Sequence, residues 1–370
     1  MAPWDVAYMA KAISVRDLVQ EVTKLCPPET PIPSLQWVRL QFCPTNPRAK
    51  VSSLYRGRFK VKMMVQKRQF RHDHIDQHYC AALFKYMREY AVKFREHSVF
   101  ICDDDKHCIK VGEPGYPLAA AESGCQVVVS LNQSFQVGDH DFSCFSLIPS
   151  VNLEVHIPDS IDGSWYQGKV FIGFKDAAFE ASSPVRHATE LYPSLLERVG
   201  LKSMLFLYTN GGPDHRLTYA SVQLALIALL QNLNLDILVA GRTVPHHSWC
   251  NPVERMMSIV NLGLQCVGIM RTKGSDKFEQ AIKNANNLNQ LRESAHKFKE
   301  EYKKSIAAPK GLLASIMRRL ELKGERFEVF ESASEQEIEA FWEVLLSVDD
   351  CLQMTDTTKT ALKDKTKLHK

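Results

Sequence analysis

Residues 204–215 read Met204-Leu205-Phe206-Leu207-Tyr208-Thr209-Asn210-Gly211-Gly212-Pro213-Asp214-His215. An unbroken apolar run of this length suits a strand buried on both faces. The Asn-Gly-Gly-Pro-Asp stretch after it is turn chemistry, and its two glycines let backbone approach a ligand closely. Downstream, Leu217–Leu233 sets Val222, Ala225, Leu226, Leu229, Leu230 and Leu233 on one face of an amphipathic helix. Upstream, Ser183-Pro184 opens a helix whose apolar positions are Val185, Ala188, Leu191, Leu195 and Val199, and Gly200 ends it. Ile237–Ala240 reads as a further strand and Asn251–Leu262 as a further helix.

Working outward, Ser98–Cys102, Gln126–Leu131, Leu147–Ile157 and Lys169–Phe174 are strand candidates. A run of strands followed by alternating helix and strand predicts an α/β protein with a mixed sheet flanked by helices. The predicted core is 98–270. Residues 1–97 form an N-terminal α+β region: a helix over 5–25, strands over Ser34–Arg71 and a helix over 73–96. Residues 271–354 form a helical region with an apolar stripe from Phe278 to Tyr302, a helix around Leu312–Leu320, and a Ser334/Glu337 capping box opening a helix that carries Phe341, Trp342 and Leu345. Residues 355–370 read as a disordered basic tail.

The 370 residues are 45% hydrophobic and 24% charged, with a net charge of +4. These values fit a globular protein and by themselves do not indicate nucleic acid. None of the ten cysteines forms a Cys-x-x-Cys pair, so zinc-ribbon and thioredoxin chemistry are not signalled. The N-terminus shows no apolar signal segment, and no apolar run could cross a bilayer, so the expected location is nuclear or cytoplasmic, not secreted, with no membrane partner.

Three stretches carry chemistry. Asp103-Asp104-Asp105 ends a strand with adjacent carboxylates whose repulsion a hard divalent cation would relieve, though a solvated turn has the same composition. Asn210 to Asp214 follows a strand end, where ligands bind in α/β sheets. Asp214 itself also suits a helix cap, and more readily than a ligand. In Pro245-His246-His247-Ser248-Trp249-Cys250-Asn251-Pro252-Val253-Glu254-Arg255, Glu254 falls in the first turn of a helix, where the helix dipole alone favours a carboxylate. Together the three segments converge on one edge of the sheet, the arrangement of a two-metal phosphoryl-transfer site with cations about 4 Å apart.

The order of elements resembles the RNase H fold. Asn251-Pro252-Val253-Glu254 is similar to the Asn-Pro-Ile-Glu motif of mariner-like transposases, within the DDE-type transposase and integrase superfamily. Asn210-Gly-Gly-Pro-Asp214 resembles the Asp-Asn/Gly-Gly-Pro motif of that superfamily. The resemblance covers about residues 98–262. It implies an RNase H-like core and a Mg²⁺- or Mn²⁺-dependent polynucleotidyl transferase that cleaves a DNA phosphodiester and joins the 3′ end to target DNA. It further implies double-stranded DNA as partner and allows a homo-oligomer.

Carried over, Asp104, Asn210 and Glu254 fall at the catalytic positions, with Asp214 as a stand-in for the middle one. The metal ligands would come from Asp103, Asp104, Asp105 and Glu254. Alternation puts Asp104 on the face opposite Asp103 and Asp105, and Asp104 is favoured because the family's Asp is commonly followed by a second acidic residue. The departure is at position 210, where Asn replaces the family's Asp and offers no negative charge. The expectation is therefore a degenerate or domesticated transposase. A non-catalytic DNA- or protein-binding module of transposon origin and an RNase H-like nuclease are the alternatives.

Residues 48–71 hold nine Lys/Arg and no acid. Arg56, Arg58, Lys60 and Lys62 alternate along one strand face and, with Lys67 and Arg68, suit a phosphate backbone; a solvated edge strand is the plainer explanation. Gly163 to Lys169 has P-loop spacing, but it lacks the Ser/Thr and enters a strand, so nucleotide binding is not expected. His72, His74, His78 and Cys80 lack a second ligand pair and read as a solvated helix face.

Overall fold

The computed structural model describes residues 19, 22–41, 74–120, 145–199, 202–245, 247–265, 267–285 and 288–352. The chain divides into two compact units, residues 11–72 and the remainder. In the first, Leu35–Leu40 is helical where a strand was expected. Ser34 explains the difference: its hydroxyl accepts the Trp37 N–H at 3.2 Å, capping a helix directly after Pro33. The basic residues Arg56, Arg58, Lys60, Lys62, Lys67 and Arg68, the strand expected at Gln126–Leu131 and the 355–370 tail lie outside the described residues.

Among the described residues, the second unit is built on a seven-stranded mixed sheet. Its strands are β1 (Ser98–Asp105), β2 (Ile109–Lys110), β3 (Ser146–Val155), β4 (Gly168–Asp176), β5 (Met204–Thr209), β6 (Ile237–Arg242) and β7 (Glu328–Phe330). The order is β7-β4-β3-β1-β5-β6, with β2 on β3. β3 runs antiparallel to both β1 and β4, whereas β1, β5 and β6 are mutually parallel. This is the mixed sheet predicted from the element order: a meander of three strands, then two parallel strands reached through helices.

The helices are α1 (Gln77–Lys93), α2 (Pro184–Val199), α3 (Ala220–Asn232), α4 (Glu254–Leu264), α5 (Asp276–Lys283), α6 (Leu288–Lys297), α7 (Lys299–Met317) and α8 (Glu335–Trp342). Strand alternation sorts β1. Val99 and Ile101 pack with Leu205 and Leu207 against Val185, Ala188 and Leu191 of α2 and Ala225 and Leu229 of α3. Phe100 points the other way, into an aromatic layer: Phe84 of α1 stacks on Tyr208 at 4.1 Å, and Trp165 meets Phe100 edge-on at 5.2 Å.

Elements from beyond both expected boundaries of the 98–270 core join it. α1 packs on the aromatic layer, and Met87 lies against Gly241. β7 pairs parallel with the β4 edge, and Phe341 and Trp342 of α8 complete the α2–α3 side of the core. The Ser334/Glu337 capping box forms as expected. Among the described residues no helix is long and apolar enough to cross a membrane.

Gly168 shows why the P-loop-like spacing is not one. It opens β4 at φ +144, and a Cβ there would stand 1.9 Å from the carbonyl oxygen of Glu154. The glycine is required by strand pairing, not by a phosphate. Gly168→Ala is expected to cost at least about 1–3 kcal/mol of backbone strain. Urea denaturation measures it, and an unchanged midpoint would refute the packing described.

Candidate active site

β1 carries its three aspartates to two faces. Asp104 follows Phe100 and Cys102 onto the α1 side, while Asp103 and Asp105 follow Val99 and Ile101 onto the α2–α3 side. All three are at the strand end where β5 delivers the 209–215 turn, since Asp103 pairs with Thr209.

That turn is set by Asn210. Its side-chain carbonyl accepts the Gly212 N–H at 2.8 Å, and its amide nitrogen donates to a carboxylate oxygen of Asp104. Gly211 passes so close to the Thr243 carbonyl that an added Cβ would be 2.9 Å from it. A 3₁₀ turn, Pro213–His215, then buries His215 on the α2–α3 side. The turn therefore places Asn210 with Asp104 and His215 with Asp103.

α4 reaches the same end through Asn251, which is buried. Its side-chain nitrogen donates to the Asp103 main-chain carbonyl at 3.1 Å, and its side-chain oxygen accepts the Val253 N–H at 3.3 Å. The helix begins at Glu254 rather than at Asn251, because a 3₁₀ turn, Ser248–Cys250, and the Asn251 tie precede it. Asn251 thereby fixes Glu254, in the first turn of α4, close to Asp104.

The electrostatics follow from this placement. Burial, and then the Glu254 carboxylate, push the Asp104 carboxyl up to about 8; Asp103 and Asp105 add to the rise, and the Asn210 hydrogen bond only partly opposes it. A buried carboxyl beside a second carboxylate is a place where a cation lowers the energy. Asp104 and Glu254 are therefore two acidic groups that feel each other's charge at the end of β1. Position 210 does not fit as a further ligand: with its oxygen taken by Gly212, the amide turns N–H, not a lone pair, toward Asp104.

On the other face lies a buried cluster that sequence reasoning missed. Lys175, fully buried at the end of β4, contacts both carboxylate oxygens of Asp105 at 3.1 and 3.2 Å, Ser182 at 3.3 Å and Glu190 at 3.6 Å. Its ammonium also lies 3.3 Å from Nε2 of His187. Burial raises the Asp105 carboxyl, but His187 and Lys175 outweigh it and hold it well below the usual carboxylate range. Asp105 is therefore committed to Lys175 and Ser182, and not to Asp104. Asp214, expected as a helix cap or as a stand-in for position 210, lies inside the 3₁₀ turn, whose N-cap is Gly212, and lines a cavity beside Asp103, His187 and His215. The sequence carried one part of the signal for the cluster: His187 and Glu190 sit one helical turn apart on α2 amid its apolar positions.

No known family profile matches the sequence. No curated protein matches it either. Among solved structures, the chain is similar to the "Mos1 mariner paired end complex with Mn", with 12% identity and a TM-score of 0.31 over 80% of this chain and 74% of that one. It is similar in the same proportions to the "Mos1 transposase paired-end complex with left transposon end", TM-score 0.32, and to a "pre-cleavage Mos1 transpososome", TM-score 0.30.

Proposed function

We propose that this protein is a DNA-acting protein of transposase descent that keeps a one-cation remnant of a two-cation phosphoryl-transfer site. The observation that carries the reading is the meeting of Asp104, Asn210 and Glu254, from β1, the turn after β5 and the start of α4, with Asn210 donating to Asp104. Asp104 and Glu254 would hold Mg²⁺ or Mn²⁺. Such an ion, when bound, polarises a phosphodiester and makes water a better nucleophile. Asn210 keeps the turn closed through Gly212 and leaves the site one negative charge short. The Asn210 geometry also favours the non-catalytic DNA-binding reading over a fully active transferase. Arg56, Arg58, Lys60, Lys62, Lys67 and Arg68 would contact backbone phosphate, which makes DNA affinity fall steeply with salt.

Supercoiled plasmid with Mn²⁺ tests the proposal. Nicking at trace level is expected, lost in Asp104→Asn and in Glu254→Gln, while salt-dependent DNA binding persists in both. Nicking that survives both substitutions would remove these residues from the site. Efficient strand-transfer products on a pre-cut oligonucleotide would overturn the one-cation reading.

A further inference from the structure

We propose a second, separate metal site on the α2–α3 side of the sheet, in which Asp103, His187 and His215 bind a transition-metal dication of the zinc class. One ligand atom from each of the three residues lies within 4.8 Å of the others. The Asp103 carboxylate oxygen Oδ2 is 3.6 Å from Nδ1 of His187 and 3.8 Å from Nε2 of His215. These separations are too long for hydrogen bonds. They are close to the roughly 3.4 Å edge of a tetrahedron with metal–ligand bonds of about 2.0–2.1 Å. A small inward movement of three side chains closes the site.

Three further observations point to a ligand. Asp103 is 1% exposed, yet its second oxygen, Oδ1, has no hydrogen-bond partner among the described residues. A buried carboxylate oxygen left so costs free energy unless something occupies the space before it. Beside Asp103 is a cavity of about 30 Å³, lined by Asp103, His187, His215 and Asp214 and otherwise by apolar residues of β5, α2 and α3, enough for an ion with one water. The surroundings are also acidic: the carboxylates of Asp103, Asp105 and Glu190 gather about one ammonium, Lys175.

His187 also touches Asp105: its Nε2 lies 3.4 Å from the carboxylate, with the Lys175 ammonium 3.3 Å from the same nitrogen. This carboxylate–histidine pairing orients imidazoles in metal centres. Lys175 and Ser182 in turn hold Asp105. Two imidazoles with one carboxylate select zinc-class ions, whereas Mg²⁺ prefers oxygen donors alone. The bound ion would fasten β1, α2 and the 209–215 turn together directly behind Asp104. The site rests on its own residues, and stands or falls independently of the proposed function.

The test is titration of the full chain, first stripped with EDTA, with Zn²⁺ and Co²⁺. One equivalent of Zn²⁺ is expected to bind and to raise the melting temperature where Mg²⁺ does not. Co²⁺ is expected to give the intense visible absorption of a four-coordinate ion. His215→Ala and Asp103→Asn should each weaken binding about 100-fold or more, and Asp105→Asn about 10-fold through its contact with His187. His215→Cys should keep the metal and add a sulfur-to-cobalt charge-transfer band, which separates lost ligation from lost folding. Asp104→Asn and Glu254→Gln should leave the stoichiometry unchanged. Absence of Zn²⁺ binding by the wild-type chain overturns the proposal, as does binding that His187→Ala/His215→Ala retains.

Discussion

Asn210→Asp is expected to raise Mn²⁺ affinity at the Asp104–Glu254 site at least about tenfold, or about 1.4 kcal/mol, and to raise plasmid nicking by a similar factor or more. The substitution is nearly isosteric. One oxygen of the new carboxylate can still accept the Gly212 N–H now held at 2.8 Å, so the turn need not change. The other oxygen replaces the N–H that points at Asp104. Without a cation this is costly, because two unit charges about 4 Å apart repel by about 4 kcal/mol at an effective dielectric of 20 unless one of them takes up a proton. Asp104 is already pushed up to about 8 by burial and Glu254, so the variant should be less stable than the parent in EDTA. With Mn²⁺ the same charges become attractive to the ion, and the deficit should shrink or reverse. Thermal unfolding with EDTA and with Mn²⁺, together with calorimetric titration, measures both halves. Unchanged affinity combined with no recovery in Mn²⁺ would remove position 210 from the site.

The sheet was legible because its inner strands are apolar runs that end in polar residues. Phe206-Leu207-Tyr208 before Thr209 and Phe100-Ile101-Cys102 before Asp103 mark both a buried strand and the end where its polar residues begin. The capping box at Ser334 and Glu337 was legible because both partners are three residues apart. What escaped depends on distance in the chain. β7 is three residues long, so no periodicity reveals it, and its partner β4 is more than 150 positions earlier. Leu35–Leu40 carries β-compatible residues, and a single Ser34 hydroxyl decides for helix. At the site, alternation separated Asp104 from its neighbours, and Asn251-Pro252-Val253-Glu254 put Glu254 at a helix start. The sequence could not show that Lys175, His187, Glu190 and His215 gather behind Asp103, because their elements meet only through the crossovers of the sheet. Asp214 and His215 illustrate the limit: the turn buries His215 and leaves Asp214 at the cavity rim, which composition cannot rank.

Lys175→Met is expected to destabilise the protein by about 3–5 kcal/mol, because removing one partner leaves buried charges uncompensated. The side chain is fully buried and its ammonium is the cation common to Asp105 and Glu190, themselves 19% and 1% exposed. Methionine fills nearly the same volume, so a cavity contributes little to the cost. The effect should be non-additive. Asp105→Asn alone removes a charge that Lys175 meets with two contacts, but in Lys175→Met/Asp105→Asn no carboxylate at 105 is left exposed to the loss, and only Glu190 remains unpaired by Lys175. A coupling of about 2 kcal/mol is expected from the double-mutant cycle, within the range for residues sharing one network. Urea denaturation in EDTA, so that no dication contributes, measures the four proteins. Additive effects would mean that Lys175 and Asp105 act separately, and the strand ends of β1 and β4 would then be held by packing alone. Coupling of the expected size would mean that Lys175 answers the Asp105 charge before any ion arrives, leaving Asp103 as the carboxylate available to one.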